Sequence, residues 1–332
     1  MSATAPDPAT SHSESRSPAP MWRKILPYVG TIAIFALIFS HIPMAKVAEA
    51  LKQAPVLEFV GVFLPFSIFY WMIDSTCLTW VVRRFNAPMR FRDIAPIRAS
   101  MYILALISTP IGQGGVAYYL HRKAGIPFLE ALSSILLIAL MEIYQLFLFS
   151  TLGLLFYHPD KPLPIMTVLR VVYIIGWLFI FSFIGLFALA RRNASVRHWI
   201  MSSRAGAIAD TFLKARPLDY AIVLGIKAPS FLASVATHYF ALSLYGISIP
   251  FVKLMLFLPL VFLAAALPIS VAHLGTSQAA WLLFFSGNAS EAKILAYSLA
   301  AHFTFMFCNG VIGLFFLPRA SRELTALEAT TS

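Results

Sequence analysis

The chain has 332 residues, of which 59% are hydrophobic and only 12% charged, with a net charge of +11 and a mean hydropathy of +0.80. Soluble domains carry about 25% charged residues, whereas the apolar residues here fall in blocks of roughly 18–30, long enough to cross a ~30 Å hydrocarbon core as helix. These features exclude a soluble enzyme, a nucleic-acid binder and a transmembrane barrel with its ~10-residue alternating strands, and point to an all-α polytopic membrane protein. The basic excess then belongs on a cytoplasmic flank, facing anionic lipid headgroups.

Residues 1–21 are rich in Ser, Pro and Ala without apolar periodicity and read as a disordered cytoplasmic tail. The first apolar block runs from about Ile25 to Ile42. Ala48-Glu49-Ala50 has the look of a signal-peptidase site, but the stretch before it exceeds the ~7–15 apolar residues of a signal peptide, so the block reads as an uncleaved helix. Further spans are predicted at about 55–82, 128–156, 168–190, 218–244 and 291–317. Two segments between them are less regular. Residues 94–121 are interrupted by Pro110-Ile111-Gly112-Gln113-Gly114-Gly115. Residues 251–286 are interrupted by Pro268-Ile269-Ser270 and by His273-Leu274-Gly275-Thr276-Ser277-Gln278. Each reads as helix, breaker, shorter helix. In the loop 191–217, Val196, Trp199, Ile200, Ile208, Phe212 and Leu213 fall at loose helical spacing, which predicts an amphipathic stretch lying on anionic lipid; a solvated linker is the alternative. Residues 319–332 form a cytoplasmic tail.

Charge decides how the broken segments sit. If each is a re-entrant hairpin and the N-terminus is inside, eighteen Lys and Arg are cytoplasmic, including Arg98, Arg122, Lys123 and the bases of 191–216. Six lie outside (Lys46, Lys52, Lys161, Arg170, Lys253 and Lys293), and Lys227 remains in the membrane. If each segment crosses once, the split becomes thirteen to eleven. The positive-inside rule prefers the hairpins, with one crossing and one hairpin as the weaker alternative. Hairpin one then enters from the cytoplasm and hairpin two from outside. Pro110 and Pro268 stand 32 and 34 residues ahead of the polar midpoints Glu142 and His302. The outline is six full spans plus two re-entrant helical hairpins in an inverted repeat. The transmembrane domain covers 22–318, with halves at about 55–156 and 218–317. Such repeats place a substrate near the midplane.

Asp74, Glu142 and Lys227 are the ions that fall well inside predicted spans. An ion at a helix centre costs about 2.5–3.5 kcal/mol on insertion scales, so it faces a partner or a cavity. Asp74 and Lys227 lie roughly 12–14 Å from the cytoplasmic helix ends at 1.5 Å per residue, so they can pair. The pair reads either as a salt bridge joining the two repeats or as a cationic site for lipid phosphate with Asp74 as resting counter-ion. Glu142 shares a helix face with Gln145; it reads as a site for a coupling cation or proton, or as a neutral carboxyl bonded to hairpin backbone.

Hairpin one offers backbone N–H groups at Gly112, Gly114 and Gly115, with Gln113, Tyr118, Tyr119 and His121 nearby. Hairpin two offers Ser270, His273, Gly275, Thr276, Ser277 and Gln278. Irregular backbone at membrane depth is tolerated only inside protein or along a wet cavity, and helix N-termini after the breaks would favour an anion. The alternative is two kinks that only pack. His238, His302 and Asn309 are expected in core hydrogen bonds. Cys77 and Cys308 lack metal-ligand spacing, and the sequence carries no nucleotide loop, serine elbow, metal motif or catalytic constellation.

Two stretches carry a family resemblance: Thr109-Pro110-Ile111-Gly112-Gln113-Gly114-Gly115 followed by His121-Arg122-Lys123-Ala124-Gly125-Ile126-Pro127, and Leu267-Pro268-Ile269-Ser270 followed by Leu274-Gly275-Thr276-Ser277-Gln278-Ala279-Ala280. With these the chain resembles, over about 22–318, the flippase-like transmembrane domain of the lysylphosphatidylglycerol synthase family. Gly115 and Gln278 stand where the family often has Glu, and arginines frequent in its long helices are absent, with Glu142 and His302 in the neighbourhood. The soluble aminoacyl-transferring domain of the full synthase is missing, so no aminoacylated lipid is expected as product.

The resemblance implies movement of a phospholipid or another polar-headed lipid between leaflets of the bacterial inner membrane, without ATP, enzyme chemistry or cofactor. Membrane lipids, above all anionic phospholipid, are the expected partners. Lys227→Ala is expected to slow transfer while leaving the fold intact. Two other readings stay open: a secondary transporter of a small anionic solute, and a non-transporting partner of an envelope-synthesis enzyme.

Overall fold

The computed structural model describes residues 21–52, 55–107, 109–158, 164–203, 206–267 and 274–329. Among these the regular elements are all helical: α1 (Met21–His41), α2 (Met44–Lys52), α3 (Val56–Phe85), α4 (Phe91–Ile107), α5 (Thr109–Ala124), α6 (Phe128–Phe156), α7 (Pro164–Arg192), α8 (Ala194–Ser202), α9 (Asp210–Lys214), α10 (Pro217–Leu244), α11 (Phe251–Ala265), α12 (Thr276–Phe285) and α13 (Glu291–Ala329), with short 3-10 turns before α9 and after α12. Five of them (α3, α6, α7, α10 and α13) are long and apolar enough to cross a membrane, and α1 with α2, bent by 92° around Ile42-Pro43, makes a sixth if counted as one span. Along α7, Val168, Val171, Ile174, Leu178 and Phe181 stand exposed. An apolar surface that continuous is built to meet acyl chains rather than water.

The two broken segments fold back on themselves. In the first, the Arg98 guanidinium reaches Gln113, the Tyr119 hydroxyl reaches the Asp93 carbonyl, and a Cβ on Gly112 would stand 3.0 Å from the Met101 carbonyl oxygen. Residue numbers that fall on α5 as they rise on α4 define an antiparallel hairpin. In the second, Phe257 stacks on Phe284 and Lys253 donates to Asn288, so α11 and α12 are antiparallel as well.

Polar contacts at the helix ends fix which way each hairpin opens. At one end, Arg84 of α3 pairs with Asp219 of α10 at 2.9 Å, while Tyr119 and Lys123 of α5 reach Glu323 of α13 at 2.7 and 3.3 Å. Pro96 has no amide hydrogen to give the Arg92 carbonyl, and Arg319 of α13 donates to that carbonyl instead, at 3.2 Å. Arg191 donates to the Ala215 carbonyl at this same end. The α4–α5 hairpin therefore opens toward the end that holds the Arg84, Lys123, Arg191 and Arg319 bases. The α11–α12 hairpin opens at the other, where Lys253, Asn288 and the Tyr157–Phe257 ring pair lie.

Two buried apolar cores fill the bundle. One gathers Phe59, Phe63, Phe149, Phe231, Phe257 and Tyr297, and the other Val81, Ile97, Leu120, Ile138, Tyr144 and Val223. Each of α3, α6 and α10 runs from one core into the other, and Asp74, Gln145 and Lys227 occupy the stretch between, with Glu142 one turn of α6 from Gln145.

The loop 191–217 departs from the expectation of a strip lying on lipid. Ile200, Phe212 and Leu213 are buried in the second core, with Phe212 against Phe183 and Phe187 of α7, so its apolar residues turn inward; Trp199 points out, 68% exposed. Thr211 closes the join, its amide taking the Ser133 hydroxyl as acceptor at 3.0 Å.

Candidate functional site

The charged residues of the spans come together in one chain of alternating sign. Lys227 of α10 donates from Nζ to Asp74 Oδ1 of α3 at 3.0 Å and reaches Glu142 Oε1 of α6 at 2.5 Å. Asp74 Oδ2 accepts from Arg98 Nε of α4 at 2.5 Å and from the Tyr102 hydroxyl at 3.1 Å. The order is Arg98, Asp74, Lys227, Glu142, two cations and two anions.

Neutral groups hold this chain in place. The Arg98 Nη1 donates to Gln113 Oε1 of α5 at 2.8 Å. Gln145 Nε2 and the Ser230 hydroxyl both donate to the Lys227 carbonyl, at 3.0 and 2.7 Å, and the Lys227 ammonium lies 5.0 Å from the Tyr70 ring centre, a cation–π contact. Five helices thus supply the site: α3, α4, α5, α6 and α10.

Exposure grades the four charges. The side chains of Asp74 and Lys227 are 1% and 2% exposed, Arg98 12% and Glu142 36%. The outer two, with Gln113, Leu78, Ile135, Ile138 and Ala139, line a narrow cleft with room for about one water molecule in this conformation. Taking ions from water is repaid only where each keeps a partner, and here each charge of the four is paired.

Of the residues singled out in the sequence, Asp74, Lys227, Glu142, Gln145 and Gln113 meet in this cluster. The Glu142 carboxylate closes on Lys227. The glycines of hairpin one act otherwise than expected. The helix resumes at Thr109, so the amides of Gly114 and Gly115 lie within α5 rather than at a break, while Gly112 and Gly115 bring α5 close against α4. Tyr118 points outward, 44% exposed.

Ser270 and His273 lie outside the described residues. Gly275, at φ +94°, takes the left-handed conformation that suits glycine and precedes α12; its amide donates to Gln278 Oε1 at 2.7 Å, half of a capping box. Thr276, Ser277 and Gln278 are buried there. None of the described contacts joins Gly275 or Gln278 to Asp74 or Lys227; among the described residues the charged site draws on the first hairpin. His238 has a core role, its ring paired with the Tyr297 hydroxyl at 2.7 Å.

Two members of the site escaped the sequence reading. Arg98 looked like part of the flank that includes Arg90 and Arg92, yet α4 begins at Phe91 and carries Arg98 two turns inward. The signal was present: Asp93 at the third helical position accepts from the Arg90 amide at 3.1 Å, the reach-back that marks a helix start. Tyr102, one turn beyond Arg98, shares its face. Tyr102→Phe removes one donor from Asp74 and leaves Arg98 and Lys227 in place; the expected loss of about 1 kcal/mol can be read from the thermal midpoint in detergent.

The family model described as "Lysylphosphatidylglycerol synthase TM region" matches residues 24–313. A comparison with curated proteins gives no match.

Proposed function

Because this chain belongs to the lysylphosphatidylglycerol synthase transmembrane-region family, we propose that it carries the polar head of a phospholipid between membrane leaflets, without ATP and without chemistry on the lipid. The observation that carries this reading is the Arg98–Asp74–Lys227–Glu142 chain, set where one hairpin meets three long helices with its inner pair buried. Fixed charges inside a membrane bundle mark a path for polar cargo.

The arrangement of helices supports alternating access. Exchange α3, α4, α5 and α6 for α10, α11, α12 and α13 and the main pairings persist: α4 on α13 becomes α11 on α6, α3 on α13 becomes α10 on α6, and each hairpin maps onto the other. Gly153 and Gly313 sit at the matching crossings, each eleven residues beyond its midpoint residue, Glu142 or His302. We read this as an inverted repeat whose halves rock against one another. In this reading the basic end of the bundle faces the cytoplasm of a bacterial cell, with both chain ends on that side.

The surface beside the cleft favours a lipid over a soluble anion: Ile111 of α5 and Leu136 and Ile143 of α6 are exposed on the two helices that flank it, a surface suited to acyl chains. A non-transporting role beside an envelope-synthesis enzyme draws on the tightness of the cleft, and it predicts no transfer by the purified chain. The test is reconstitution in vesicles with acyl-labelled phospholipid and a membrane-impermeant quencher. Faster exchange between leaflets than in protein-free vesicles is expected; equal rates would overturn the proposal.

Topology supplies an independent check. Cys77 and Cys308 are buried, so single cysteines introduced at Arg122, Arg197 and Arg216 can be labelled against a low background. All three are expected to react from the same face as a cysteine at Arg83, and a split between faces would remove the hairpins.

A further inference from the structure

Resting on the translocation reading above, we infer that the carried headgroup is zwitterionic, a phosphate with a primary ammonium as in phosphatidylethanolamine, with Arg98 receiving the phosphate and Glu142 the ammonium. An anionic headgroup is the natural expectation while Lys227 stands as the single base of the spans. The structure adds Arg98 and closes Glu142 onto Lys227, so the site holds as many anions as cations.

The layout of the four charges separates a fixed pair from a reachable pair. Asp74 and Lys227 are the inner members, 1% and 2% exposed, and they bind each other at 3.0 Å. Arg98 and Glu142 are the ends of the chain, and both stand on the wall of the same cleft, with Gln113 between them in function as a neutral amide bound to Arg98. A cation and an anion facing one cleft match a ligand that presents one charge of each sign close together.

Charge balance then follows each step of entry. The phosphate takes Arg98 and the Gln113 amide, the ammonium takes Glu142, and Lys227, released by Glu142, keeps Asp74. Every ion retains an opposite partner. A headgroup with phosphate alone would leave Glu142 on Lys227 and set three anions against two cations, and an excess charge inside a low-dielectric bundle is strongly disfavoured. The basic helix ends, Arg83, Arg92 and Arg192 among them, remain available to anionic lipids as neighbours rather than as cargo.

The experiment uses the full chain in vesicles of equal parts phosphatidylethanolamine and phosphatidylglycerol, with a trace of one or the other labelled on its acyl chain so that the headgroup is native. Phosphatidylethanolamine is expected to cross about tenfold faster than phosphatidylglycerol. Equal rates, or phosphatidylglycerol ahead, would overturn the zwitterionic assignment while leaving translocation standing; protein-independent rates for both lipids would overturn translocation itself. Glu142→Gln is the second arm. It is expected to bring the rate for phosphatidylethanolamine down to that for phosphatidylglycerol, and a preference that survives the substitution would remove Glu142 as the ammonium partner. The wild-type comparison stands whether or not that variant folds.

Discussion

Lys227→Ala is expected to lower stability by about 3–5 kcal/mol, the usual cost of removing one partner from a buried ion pair, and to abolish lipid transfer. Lys227 serves two carboxylates, at 3.0 Å to Asp74 and 2.5 Å to Glu142. Without it Glu142 loses its cation, and Asp74 keeps only Arg98 and the Tyr102 hydroxyl. The sequence alone suggests a residue that could be deleted with the fold intact, because it shows one pair at most; the structure makes the ammonium a shared keystone. The double substitution Lys227→Met with Glu142→Gln separates the two effects. It removes one cation and one anion together, leaving Arg98–Asp74 as a complete pair. Most of the thermal midpoint in detergent is expected to return while transfer stays lost. A single variant that unfolds at the wild-type temperature would show that the ion chain contributes nothing to stability.

The second large effect is steric. A Cβ on Gly153 would lie 2.5 Å from both the Cα and the N of Leu256, and backbone cannot step aside as a side-chain tip can. Gly153→Leu is expected to force α6 and α11 apart at a cost of about 3 kcal/mol, the upper part of the range for overpacking, and to show as a lower thermal midpoint and early elution loss on size exclusion. Gly185 of α7 is the matched control. A Cβ there meets nothing within 4 Å, and Gly185→Ala is expected to be neutral or slightly stabilising, since alanine is the better helix former.

What could be read without coordinates follows from cost. Asp74, Glu142 and Lys227 stand out because an ion in an apolar span demands a reason, and all three are in the site. The positive-inside count predicts two hairpins that open at opposite ends, and the contacts of Arg84, Lys123, Arg191 and Arg319 gather at the end where the α4–α5 hairpin opens. Arg98 was hidden by its company: next to Arg90 and Arg92 it joins the flank in any tally, and only the start of α4 moves it inward. The break in hairpin one was misplaced for a related reason. Proline is welcome in the first turn of a helix, so Pro110 belongs to the beginning of α5, and the glycines after it serve close packing. For the loop 191–217, spacing gives a two-faced pattern but cannot say whether the apolar face meets lipid or protein; Phe183 and Phe187 decided it.

The crossings at Gly153 and Gly313 have a mechanical side. A Cβ on Gly313 would lie 2.8 Å from the Ile103 side chain and 2.9 Å from the Ala99 carbonyl oxygen, so each long helix lies close over the first arm of the opposite hairpin with no side chain of its own at the crossing. A glycine at the crossing puts no knob of its own between the two helices. On the rocking reading, these two contacts are the fulcrums about which one half would tilt over the other.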